Sequence, residues 1–140
     1  GSEEGIAFTV SHEGLEARYV LKSNDCPIRI GRDPENDIVV ENRGVSKFHA
    51  ELRLPSTLAA GTRATYVCAV DLSMNGTALQ APGTERPSCL TRGEEVALPD
   101  GAVLLMPWLQ KVKGIGATEK VSFELHYEVP VLSPTDAGEE

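Results

Sequence analysis

Three cations, a hydroxyl and an imidazole fall close together in the stretch GRDPENDIVVENRGVSKFHA, residues 31–50: Arg32, Arg43, Lys47, Ser46 and His49. An arginine fork presents paired N–H donors, a serine hydroxyl adds one more, and a lysine ammonium supplies a compact charge. Set on short turns, such groups suit an anion with several oxygens. A second stretch, DLSMNGT at residues 71–77, holds an Asn-Gly pair. Both residues tolerate positive φ, so the pair marks a tight turn. Asn75 there carries an amide donor and acceptor that match an extended peptide backbone.

Covalent chemistry finds little support. His49 invites a general-base role, but the three histidines are widely spaced, and the chain has no G-x-S-x-G elbow, no H-E-x-x-H pair and no Gly-Lys-Ser/Thr phosphate loop. GIGATE at 114–119 starts like a glycine-rich nucleotide loop but lacks its third glycine and lysine. No catalytic residue, metal ligand set or cofactor is expected. The three cysteines, Cys26, Cys68 and Cys89, are odd in number and lack paired spacing. They fit neither a disulfide framework nor a zinc site and are expected to be reduced, small buried hydrophobes.

The elements that must position these residues are strands. Short runs, IAFTV, ARYVL, PIRI, DIVV, FHAELRL, TYVCAV, EVALP, AVLLM and VSFELHY, are separated by Gly, Pro, Asn and Asp. In FHAELRL the alternation predicts Phe48, Ala50, Leu52 and Leu54 inward, and His49, Glu51 and Arg53 outward. VSFELHY likewise predicts Val121, Phe123, Leu125 and Tyr127 inward. No stretch sustains helical spacing, and nine prolines oppose one. The expectation is one all-β sandwich domain with long loops at 55–64 and 110–120.

Composition sets the surroundings. Thirteen Lys and Arg against 21 Asp and Glu give a formal charge of −8, which opposes generic nucleic-acid binding because that needs an extended basic face. There is no apolar run of about 18 residues and no basic-then-apolar leader, so membrane insertion and secretion are not expected. NGT at 75–77 then reads as a turn rather than a glycosylation acceptor. The expected location is intracellular, nuclear ahead of cytoplasmic.

Order now matters. GR, then S-x-x-H, then D-x-S-x-N-G-T, each between strands, resembles the forkhead-associated (FHA) domain, with motif matches over residues 28–79 and a strand pattern over about 6–127. The resemblance implies an eleven-stranded β-sandwich whose loops at one end bind phosphothreonine peptides. By motif position, Arg32, Ser46 and Lys47 would bind phosphate, Asn75 would hold the peptide main chain, and Gly31, His49 and Gly76 would brace the loops. Arg43 would reach peptide residues beyond the phosphothreonine and favour acidic ones, since Gly44 has no side chain to do so. Met74 stands where many members carry a Thr or Ser hydroxyl that touches the phosphate, which implies one fewer phosphate donor.

The domain is placed at 6–129, with a disordered N-terminus or cloning scar at 1–5 and a disordered acidic tail at 130–140. The implied function is a non-enzymatic, monomeric adaptor for a phosphothreonine-containing partner, within a larger signalling or regulatory protein. The alternative is a domain of the same fold with a decayed pocket, binding its partner without phosphate.

Overall fold

The computed structural model describes residues 5–22, 26–56, 64–108 and 120–128. Of the termini assigned to 1–5 and 130–140 all but Gly5, and most of the loops at 55–64 and 110–120, lie outside the described residues.

Eleven strands run in chain order: β1 Ile6–His12, β2 Leu15–Leu21, β3 Ile28–Gly31, β4 Ile38–Val39, β5 Ala50–Arg53, β6 Cys68–Asp71, β7 Ala78–Gln80, β8 Ser88–Cys89, β9 Glu95–Ala97, β10 Ala102–Met106 and β11 Val121–Tyr127. They form a six-stranded sheet ordered β2-β1-β11-β10-β7-β8 and a five-stranded sheet ordered β4-β3-β5-β6-β9. Strands β3 and β4 pair in parallel, whereas their neighbours pair antiparallel. The expected all-β sandwich is therefore the observed fold.

Side chains of period two fill the space between the sheets. Phe8 and Val10 of β1, Leu104 and Met106 of β10, and Phe123 and Leu125 of β11 are buried against Ile30, Leu52 and Ala69 from the other sheet. VSFELHY alternates as expected, with Phe123, Leu125 and Tyr127 buried and Val121 partly buried.

FHAELRL does not. The strand starts at Ala50 rather than near Phe48, so Phe48 and His49 belong to the preceding turn and escape the pleat. Phe48 is exposed and His49 is fully buried, the reverse of the expected alternation. Strand β3 also runs one residue further than the pattern implied, ending at Gly31. Of the cysteines only Cys68 is buried; Cys26 and Cys89 are exposed, and all three are free thiols. Cys89 surfaces because it lies on β8, a two-residue edge strand exposed at both positions.

Register fixes where the loops emerge. Ile30 pairs with Ala50, and Ala50 with Asp71, so β3 ends, β5 begins and β6 ends side by side. The loops 32–37, 40–49 and 72–77 leave from that one end of the five-stranded sheet.

Candidate functional site

The first two loops are zipped to each other by backbone. Arg32 N–H donates to Ser46 O at 3.0 Å and Asp33 N–H to Lys47 O at 3.2 Å. Gly31 sits at this junction. A Cβ there would lie 2.1 Å from Lys47 O and 2.8 Å from its carbonyl carbon, backbone atoms that cannot move aside. The glycine is thus required for the close approach of the two backbones. Asn36, buried, donates from Nδ2 to Lys47 O at 2.6 Å and to Asp33 O at 2.8 Å. It holds the same carbonyl from the other side.

His49 joins the second loop to the third. Its Nδ1 accepts from Ser46 N–H at 3.0 Å, which requires the proton on Nε2, and Nε2–H donates to Gly76 O at 3.0 Å. The ring is therefore neutral. Burial pushes its pKa below the ordinary value, although the Gly76 carbonyl and the nearby Asp71 charge pull the other way. With both nitrogens engaged by backbone and no exposed surface, the ring is a brace.

The third loop is built around Asp71, whose part the sequence did not disclose. Its Oδ1 accepts from Ser73 N–H at 3.2 Å, Ser73 Oγ–H at 2.5 Å and Thr77 Oγ1–H at 2.8 Å. Ser73 Oγ in turn accepts from Gly76 N–H at 2.8 Å. Gly76 takes φ of +92°, a conformation that penalises any side chain. The D-x-S-x-N-G-T pattern was thus a signal for this network, since short polar side chains cap their own turns.

The second loop is held from behind by the segment that follows β10. A Cβ on Gly44 would meet Pro107 Cγ at 2.6 Å, so the loop packs directly on that ring. Trp108 N–H donates to Gly76 O at 3.0 Å. Asn75 Nδ2 donates to Gly44 O at 2.9 Å, which commits one amide hydrogen to tying the loops and leaves the other and Oδ1 without a partner among the described residues.

These braces present a cleft of about 520 Å³. Arg32, Arg43 and Lys47 line it, together with Ser46 and Asn75, and no carboxylate does. Arg32 Nε donates to Val45 O at 2.7 Å, which aims the guanidinium while its terminal nitrogens keep no partner among the described residues. None of the three cations pairs with a carboxylate among the described residues. Ser46 Oγ accepts from Met74 N–H at 3.1 Å, so its own proton stays available to an acceptor. Met74 is 87% exposed over the same cleft. Chemically the arrangement suits an anion with several oxygens: a fixed guanidinium, an ammonium and a hydroxyl on loops locked by backbone. The structure brings together Arg32, Arg43, Ser46, Lys47, Met74 and Asn75 on the cleft, and places His49, Gly31 and Gly76 beneath it.

Comparison with known proteins bears on this arrangement. A family model for the FHA domain matches residues 28–106. No curated protein matches in sequence. In structure the chain is similar to the FHA domain of an Arabidopsis thaliana hypothetical protein, with TM-score 0.63, 21% identity and 95% of each chain covered. It is similar to the N-terminal FHA domain of S. cerevisiae RAD53P bound to a phosphothreonine peptide, with TM-score 0.58, 16% identity, and 88% of this chain and 94% of that one covered. It is also similar to the MEK1 FHA domain in complex with a HOP1 phosphothreonine peptide, with TM-score 0.59, 14% identity, and 87% and 97% covered. With the family pattern spanning more than half of its length and the sandwich shared nearly end to end, the chain belongs to the FHA domain family.

Proposed function

We propose that this domain binds a phosphothreonine-containing segment of a partner protein and acts as a phosphorylation-dependent adaptor. The observation that carries this reading is a cleft with three cations that have no ion-pair partner, a hydroxyl with a free proton, and no carboxylate, all among the described residues, on a protein of net charge −8. A phosphothreonine brings about −1.5 to −2 charge and three acceptor oxygens, which the Arg32 fork, Lys47 and Ser46 complement. Asn75 holds the peptide main chain with its Oδ1 and remaining amide hydrogen, and Arg43 draws acidic residues flanking the phosphate. The solved relatives that carry phosphothreonine peptides support the same ligand class.

The domain performs no catalysis on this reading, since the imidazole beneath the cleft, His49, is spent on the two loops. It works as a monomer and leaves nucleic acid alone. A kinase-written mark and three free thiols suit an intracellular setting, nuclear ahead of cytoplasmic. Met74 favours one rival, a phosphate-independent interaction domain, because the thioether donates no hydrogen bond to phosphate.

Peptide titration separates the two. Binding to a phosphothreonine library, with phosphoserine and unphosphorylated pools as controls, is expected to depend on the phosphate. Arg32→Ala removes charge-assisted hydrogen bonds worth about 1.5–3 kcal/mol each, so affinity should fall at least roughly tenfold in a domain that stays folded. Equal binding of phosphorylated and unphosphorylated pools, or a folded Arg32→Ala variant of unchanged affinity, hands the case to the rival.

A further inference from the structure

Among the described residues five large apolar side chains are exposed: Leu15, Val20, Val39, Phe48 and Met74. Leu15 and Val20 lie on β2 and Val39 on β4, the outer strands of the two sheets. The other two line the cationic cleft, along with partly buried Leu72. Met74 is 87% exposed and Phe48 36%. The Arg29 guanidinium sits 5.5 Å from the centre of the Phe48 ring, covering one face of it and holding it at the surface.

A single exposed apolar residue is ordinary. Two of them beside three cations that have no ion-pair partner among the described residues give one cleft two chemistries, and a ligand that satisfied only the charges would leave the apolar surface wet. Phosphate oxygens gain nothing from a thioether or a phenyl ring, so another part of the ligand must cover them. The occupant that meets both demands is a phosphorylated segment with an apolar side chain nearby.

We propose that the partner segment carries a large aliphatic or aromatic residue close to the phosphothreonine, seated against Phe48, Leu72 and Met74 while Arg32, Ser46 and Lys47 hold the phosphate. This rests on the phosphopeptide reading above and adds the side-chain class that accompanies the phosphate. Methionine is unbranched and adapts its shape, so the shelf selects a class of side chain rather than one residue. Met74 then contributes contact area where a hydroxyl would have contributed a phosphate donor.

The test is a positional-scanning phosphothreonine peptide library, with its unphosphorylated counterpart, presented to the domain and to Met74→Ser and Phe48→Ser variants. At one or more positions near the phosphothreonine, Leu, Ile, Met or Phe should be preferred over Ala or Ser by about three- to tenfold, as expected for partial burial of one side chain. That preference ratio should drop toward one in each variant. Because Met74 is 87% exposed and its hydrogen bond to Ser46 is made by the backbone, Met74→Ser keeps the test valid even if Phe48→Ser disturbs its loop. A profile that depends on phosphate but is flat in apolar residues, or a preference that survives both substitutions, overturns this inference and leaves the phosphopeptide reading intact. Binding that ignores the phosphate overturns both.

Discussion

His49 has no exposed surface and two hydrogen bonds to backbone, one in each of two loops, so its protonation state is a structural variable. Protonating Nδ1 would set an N–H against the Ser46 N–H it now accepts from. Burial therefore depresses the folded pKa, whereas histidine in the unfolded chain titrates near about 6.5. Between those two values the unfolded state binds more protons than the folded one. The contribution of the neutral ring is thus complete above pH about 6.5 and is lost as pH falls toward the depressed folded value. An NMR titration of the ligand-free domain should find the His49 ring neutral through pH 6.5, with its midpoint below that of an exposed histidine. A midpoint at or above the ordinary value would show that the ring does not hold the loops as described. The ligand is left out because a phosphate's second proton also titrates near about 6.

At the scale of elements, the two sheets are locked at the end opposite the cleft by one phenol. Tyr127, on β11, donates from its hydroxyl to Leu98 O at 2.7 Å and accepts from Val67 N–H at 2.8 Å, both in the facing sheet's connections. Burial pushes this phenol up to about 12. Tyr127→Phe keeps the ring but leaves the buried Val67 N–H without its partner, which should cost about 1–3 kcal/mol in a urea unfolding curve. Phosphopeptide affinity should not change, since the cleft lies beyond the other end of β11. A loss under about 0.5 kcal/mol would mean that water replaces the hydroxyl. Tyr127 also marks how far sequence alone reaches. Its inward direction was legible because VSFELHY keeps strict alternation for the full seven residues of β11. FHAELRL looked equally regular, yet its first two residues belong to a turn, where backbone hydrogen bonds to His49 outweigh the preference for Phe inside. Strands β7 and β8, of three and two residues, are too short to show a period. The cleft residues could be read from motif order, whereas Asn36 works through the Lys47 carbonyl of another loop, a contact that exists only once β3 and β5 are in register. Asp71 works through the local hydroxyls of Ser73 and Thr77, which the D-x-S-x-N-G-T pattern signalled without assigning Asp71 its part.

For the whole molecule, the proposed phosphopeptide reading makes net charge the filter on which phosphates reach the cleft. The net charge is −8, while the cleft gathers three cations in one place. At physiological salt, fields decay over about 8 Å, so a phosphate already in the cleft feels mainly those cations, and an approaching polyanion meets the acidic remainder. Duplex DNA needs a track of basic residues, and proteins with 6–10 phosphate contacts lose about 10³–10⁵ in affinity between 50 and 200 mM salt. On the proposed reading the cleft takes one phosphate and has no such track. Its attraction for the peptide weakens with salt, but so does the repulsion between an acidic peptide and the acidic body, and the two changes oppose each other. Phosphothreonine peptide affinity should therefore change by less than about tenfold over the same salt range, and micromolar protein should leave duplex DNA unshifted at about 150 mM salt. A steep fall in peptide affinity, or a salt-sensitive DNA shift, would place a basic surface outside the cleft and undo the argument that Arg32, Arg43 and Lys47 serve one bound phosphate and its neighbours.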